Sequence, residues 1–285
     1  MVPNLPQREE YLRKKRKKKL IRLGVAFALL IFIVALLSYI SHRKEIRISD
    51  VILSGGILVK ESDIKEKSIE YISGSYFWLF PKNNAFIFPK TRLEDFLVQS
   101  FKRIDEINIK RKDFKTIVVN ITERKPIATW CDKTQKTGTT TEEGLDLTEH
   151  CYFIDQNSTI FAEAPFFSGD AYFKYYGFVS TTTPIGMQYM ASSTEFAKIT
   201  EFIDLIKKLS VRPQYLVAKG NDEFSVVVSG GGEIYFDTKI PLEKVAENLG
   251  ALLRTPELST TTNRELPVEY IDLRYGNKLF YKLKN

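Results

Sequence analysis

Two cysteines, two histidines, two tryptophans and three methionines are all that 285 residues contain of those types. Such scarcity leaves little with which to build a catalytic or metal centre. There is no GxSxG, HExxH, GxxxxGK[ST] or CxxC, the spacings that mark an activated serine, a zinc protease, a phosphate loop or a redox pair. The one glycine run, "SGGGE" at 229–233, joins two β-like stretches instead of opening a helix, so it reads as a hairpin turn rather than a phosphate cradle. Internal repeats are absent, as is any series of ~10-residue amphipathic strands of the kind a membrane barrel needs. These absences predict a protein that is not an enzyme and carries no cofactor.

Charge is unevenly spread. The net charge of +7 arises in residues 1–44, which hold eleven Lys or Arg against Glu9 and Glu10, leaving about −2 for the rest. The basic excess belongs to a tail, not to a folded nucleic-acid surface, and no basic–aromatic motif accompanies it. Directly after "RKKRKKK" (Arg13–Lys19) comes Leu23–Ile40, eighteen residues without a charge. As a helix at ~1.5 Å per residue they extend about 27 Å, close to the hydrocarbon thickness of a bilayer. The run is longer than a cleaved signal core, and "SYISH" after it is a poor cleavage site. The basic flank keeps the N-terminus cytoplasmic, so the expectation is a signal anchor with everything after Ile40 exported. The expected divisions are a disordered basic tail at 1–20, a transmembrane segment at 21–41, a small domain at 45–124 and a larger one at 126–285.

On the exported side Cys131 and Cys151 flank a Thr-rich stretch, and a disulfide between them would close a loop of about twenty residues, worth ~3 kcal/mol. A metal site with His150 as third ligand is the poorer alternative, and two unpaired thiols are another. Hydrophobic periodicity orders the remainder. "EIRISDVILSGG" reads as a strand and "ESDIKEKSIEYISG" as a helix with Ile64, Ile69 and Ile72 on one face. "TRLEDFLVQSF" reads as a helix opened by a Thr91–Glu94 capping box, followed by strands "DEINIKRK" and "TIVVNITER". Beyond Pro126 the chain is mainly β, with strands at 126–131 and 151–155 and an irregular aromatic segment at 165–190. Two helices interrupt it: one opened by Ser192-x-x-Glu195, the other with Pro241 in its first turn. The last two strands are "EYIDLRY" and "KLFYKL"; the Thr stretches 139–141, 181–183 and 260–262 are expected loops.

In order, the basic tail, the span, "ISDVILSGGILVKESDI", "FKRIDEINIKRKDFKTIVVNITERKPIATW", "YFIDQNSTIF" and "EYIDLRYGNKLFYK" resemble the bacterial cell-division family FtsQ, called DivIB in Gram-positive bacteria. The most specific parts are Glu123–Trp130, similar to that family's "ERxPxAxW", and Ile271–Tyr275, similar to its closing "DLRY". The resemblance implies an α+β fold: one N-terminal transmembrane helix, a βααββ POTRA domain, then a larger, mainly antiparallel β domain with two packed helices. The departures are the Thr-rich insertion at 134–144, the cysteine pair and segment 165–190.

The resemblance further implies a single-pass scaffold at the division septum that holds other anchored division proteins, FtsB and FtsL, partly by adding a strand of the partner to the last strand region. Carried onto this sequence, Arg274 would meet a partner carboxylate, Tyr275 would lie in or beside the docking strand, and Lys278, Leu279, Phe280 and Tyr281 would continue the edge, unless Gly276-Asn277 forms a tight hairpin. The plainer readings are a surface ion pair worth under ~1 kcal/mol for Arg274 and core packing for Tyr275. Residues 46–73 would supply a second contact surface. Trp78 and Phe80 are either core or close to lipid headgroups. The other functions weighed are an export accessory protein bearing POTRA units and an anchored envelope hydrolase.

Overall fold

The computed structural model describes residues 5–132, 150–167, 171–179, 181, 183–220, 222–259 and 265–284. It has two compact units, Met1–Glu123 and Arg124–Asn285. The Thr-rich stretches at 139–141 and 260–262, the insertion at 134–144 and most of the presumed loop between the cysteines lie outside the described residues.

Helix α1 runs unbroken from Leu5 to Ser41. Its stretch Tyr11–Ser41 is long and apolar enough to cross a membrane. The expected disordered tail is corrected: Arg13–Lys19 lie inside the same helix. Lys, Arg, Leu and Glu are good helix formers, and nothing between Pro6 and Gly24 interrupts them.

After a single 3-10 turn at Lys44–Ile46 come β1 (Asp50–Ser54), α2 (Glu61–Tyr71), the two-residue strands β2 (Ser75–Tyr76) and β3 (Phe80–Pro81), α3 (Lys90–Ser100), β4 (Ile104–Arg111) and β5 (Thr116–Glu123). The larger strands form a sheet in the order β1-β5-β4, with β1 parallel and β4 antiparallel to β5. Alternation dictates the faces: Ile117, Val119 and Ile121 point inward from β5, while Val118, Asn120 and Thr122 alternate with them. Ile64 and Ile72 at α2 and Leu93 and Leu97 of α3 close over that face in one apolar core, with Ile69 half-buried, and Tyr71 stacks on Phe96 at 4.6 Å between the helices. The expected Thr91–Glu94 capping box does not form. The helix starts at Lys90 with Pro89 as its uncapped N-cap, and Glu94 instead accepts the Ile109 N–H at 2.7 Å on the edge strand β4. A second carboxylate organises the loop after β1: Glu123 Oε1 accepts the N–H groups of Ile57, Leu58 and Val59 at 2.7, 2.8 and 2.9 Å. Burial pushes the Glu123 carboxyl up, but these three donors together with Arg103 leave it below the usual glutamate value.

The second unit contains β6 (Ala128–Asp132), β7 (His150–Ile154), β8 (Ile160–Glu163), β9 (Lys174–Tyr176), α4 (Ser193–Lys208), β10 (Pro213–Gly220), β11 (Glu223–Val228), β12 (Glu233–Asp237), α5 (Leu242–Leu252), α6 (Pro256–Ser259), β13 (Val268–Tyr275) and β14 (Lys278–Leu283). Nine strands make one sheet in the order β14-β13-β12-β11-β10-β9-β6-β7-β8. The expected mainly antiparallel arrangement is modified to a mixed one: β12–β13, β9–β10 and β6–β9 pair in parallel. For β9–β10 and β12–β13 the cause lies in the helices. A helix between two neighbouring strands carries the chain back across the sheet face, so the next strand starts from the same end. α4 does this between β9 and β10, and α5 between β12 and β13.

Ser192 caps α4 by accepting the Glu195 N–H at 3.2 Å, and α4 buries Phe196, Ile199, Phe202, Ile203 and Ile206. α5 packs beside it through Val245, Ala246, Leu249 and Leu252, and Phe202 meets Phe236 of β12 at 4.6 Å. The aromatic segment expected to be irregular contributes β9, with Tyr175 buried against Tyr189 and Phe196. The glycine run is the β11–β12 turn, with Gly230 and Gly231 at φ +91° and +82°.

Candidate docking site

β14 is the outermost strand of the nine-stranded sheet, paired on its inner side to β13 from Val268↔Leu283 to Tyr275↔Lys278. Gly276-Asn277 makes the tight hairpin turn, with Gly276 at φ +67° as such a turn requires. Asn248 of α5 donates to the Gly276 carbonyl at 2.8 Å, which fixes the turn to the helical layer.

The two outer edges of the sheet differ. At β8 the chain folds back over its own edge: Ile160 N–H bonds Met187 O at 2.9 Å and Gly186 N–H bonds Ile160 O at 2.7 Å. Beside β14 no further strand is paired among the described residues. A strand exposed in this way offers N–H and C=O groups to another chain. Its side chains alternate. Leu279, Tyr281 and Leu283 continue the helix-covered face, Leu279 half-buried on the core and the other two left 37% exposed. Lys278, Phe280 and Lys282 occupy the other face, where Lys282 bonds Glu269 at 2.7 Å. Phe280 and Tyr275, 51% and 57% exposed, meet edge to face at 5.4 Å. Aromatic and aliphatic residues flanked by lysines thus surround an open backbone edge.

Arg274 is placed differently from expectation. It lies on β13, which is bonded on both sides, by β12 and β14. Its guanidinium holds Asp272 through two bonds, Nε to Oδ1 at 3.0 Å and Nη2 to Oδ2 at 2.6 Å, and reaches Glu223 Oε2 at 2.8 Å. On the way it crosses the Tyr235 ring at 5.5 Å. The group therefore clamps β11, β12 and β13 together, and its charge is already matched by two carboxylates of its own chain. This is the ion-pair reading that the sequence also offered for Arg274. Asp272 binds it tightly enough to raise its pKa, and although burial pushes the Asp272 carboxyl up, the arginine brings it below the usual aspartate value. Tyr275, Lys278, Leu279 and Phe280 are brought together at the hairpin end with Tyr281 next along β14, while Leu283 was missed; the period-2 pattern of "KLFYKL" carried the signal.

Cys131 and Cys151 face each other across β6 and β7, Cα–Cα 4.1 Å, and are joined as a disulfide. Bonded thiols do not ligate metal, so the His150 alternative lapses; among the described residues no three His, Cys, Asp or Glu side chains group to hold an ion. Two fragments singled out in the sequence meet structurally: Arg124 pairs with the buried Asp155, whose Oδ1 also accepts the Asn157 and Thr159 N–H groups at 2.9 and 2.8 Å. They hold a turn. Neither a scan against protein-family models nor a search of curated proteins matches this chain.

Proposed function

We propose that this chain is a single-span scaffold of the bacterial division machinery, of the FtsQ/DivIB kind, with its N-terminus cytoplasmic and both folded units outside the membrane. It holds FtsB/FtsL-like anchored proteins at the septum and catalyses nothing. The observation that carries this reading is the open outer edge of β14, bordered by Tyr275, Phe280 and Tyr281. A short segment of a partner adds a strand there, its backbone satisfying the unpaired groups and its alternate side chains resting on Phe280 or Tyr281. Two further features support the reading. The order β1-α2-α3-β4-β5 in residues 45–124 suits a POTRA domain, and α1 is long and apolar enough to be the anchor. An anchor confines the search for partners to two dimensions, which raises effective concentration without new contacts.

Depletion in the host is expected to give filamentous, undivided cells. In pull-downs from membranes, Phe280→Lys combined with Tyr281→Lys lowers recovery of anchored division proteins about tenfold with unfolding nearly unchanged, because both side chains are exposed. Normal septation on depletion, or unaltered recovery, refutes the reading.

A further inference from the structure

β2 and β3 form a hairpin whose tip is Tyr76-Phe77-Trp78-Leu79, closed by the Leu79 N–H on Tyr76 O at 3.0 Å. Phe77 and Trp78 both take positive φ, +48° and +60°. That turn geometry normally selects Asn-Gly, since a side chain with a Cβ is strained there. Here it carries two of the bulkiest side chains, turned outward to 87% and 94% exposure. A soluble surface gives no return for strained, uncovered aromatics.

The tip is tied to the membrane-crossing helix. Asn84 donates to Ser41 Oγ at 2.9 Å at the helix end, and Ser38 Oγ donates to Leu79 O at 2.6 Å one turn earlier. Between those two ties the hairpin descends beside α1 by three residues, ~4.5 Å, towards the apolar run that ends at Ile40. Around the same exit Phe86 and Ile87 are 61% and 43% exposed, and the Phe86 N–H donates at 2.9 Å to Oδ1 of the Asn84 that grips Ser41. Phe114 lies 5.3 Å from Phe86, and Arg111 sits over both rings at 5.2 and 5.7 Å. Exposed Arg43, Lys44, Lys112 and Lys115 stand close by in sequence.

We infer that the Phe77–Leu79 tip is a second membrane anchor, seated in the headgroup and upper acyl region of the bilayer that α1 crosses, with Phe86, Ile87 and Phe114 resting at its surface. The occupant is lipid and not a protein, because the tip is continuous with the span and lies at the depth where Trp is favoured and cations meet phosphates. The consequence is orientation: two attachment points, helix and hairpin, stop the first unit from swivelling about α1. This inference rests on the membrane-anchor part of the proposed function.

The test uses the full chain in phosphatidylcholine–phosphatidylglycerol vesicles containing lipids brominated at defined acyl depths. The difference between the fluorescence of the native protein and that of Trp78→Phe isolates Trp78, because Trp130 is buried in the other unit and donates to Gly177 O at 3.1 Å. The expected result is a Trp78 signal quenched by roughly half or more by bromines nearest the headgroups and shielded from aqueous acrylamide. If the protein floats with the vesicles but Trp78 ignores bromine and yields to acrylamide, the second anchor is refuted while the span stands; a protein-docking tip would behave this way. Failure to float overturns span and hairpin together.

Discussion

Replacing Arg274 by Met keeps the aliphatic cover over Tyr235 and removes the charge that Asp272 and Glu223 share. Removing one partner of a fully buried pair costs about 3–5 kcal/mol. The side chains of Asp272 and Arg274 are 11% and 28% exposed, so water relieves part of that, and ~2–3 kcal/mol is expected. For a unit spanning Arg124–Asn285 this is a drop of roughly 5–10 °C in the midpoint of thermal unfolding. Arg274→Glu costs more, since a third carboxylate joins the other two. The pH dependence follows from Asp272, whose folded pKa lies below its unfolded value. Its contribution is fully present above the unfolded pKa, near 3.9, and fades as pH falls through the folded one. In Asp272→Asn that acid-limb component disappears, and the double variant Arg274→Met/Asp272→Asn loses less than the two single changes combined. Calorimetry from neutral pH to about pH 2 follows each step. An Arg274→Met protein that melts within a degree of the native one, yet no longer captures its partners, would refute the clamp and restore the guanidinium to the interface.

Two further outcomes are expected. Glu123→Ala releases Ile57, Leu58 and Val59 and costs about 2 kcal/mol, seen as faster amide exchange at those three residues. Because the Glu123 carboxyl titrates below its ordinary value, the native protein loses the same protection as the medium is acidified through the folded pKa. Reducing Cys131–Cys151 adds two hydrogens to the intact mass and destabilises the second unit by ~3 kcal/mol, as expected for a cross-link across a separation of 20 residues.

Periodicity carried the long elements. The apolar stretch of α1, the Ser192 cap and the alternation of β5 and β14 could each be read locally because each arises from local sequence. The failures share a cause. Thr91-x-x-Glu94 looked like a cap, but Glu94 accepts an N–H on the edge strand β4, a contact between two elements that a pattern within the helix does not show. β9 is three residues long, and its place between β6 and β10 depends on pairings with strands on either side in the chain. The Asp272–Arg274 pair was half visible, since residues two apart on a strand share a face. The third member, Glu223, sits 51 residues away and could not be seen. An arginine in a strand near a free edge thus resembles an interface residue until its neighbours are known.

The three residues of β9 have one more consequence. Among the described residues they alone connect β6–β8 to the strands from β10 onward within the sheet, and both junctions are short parallel ladders. Load entering at β14 crosses the antiparallel β13–β14, β11–β12 and β10–β11 ladders and the three-pair parallel β12–β13 ladder, then reaches this waist, which narrows to two pairs between β9 and β6. The larger unit is thus a stiff panel with a crease, and tension along it would open the crease before it bent the panel.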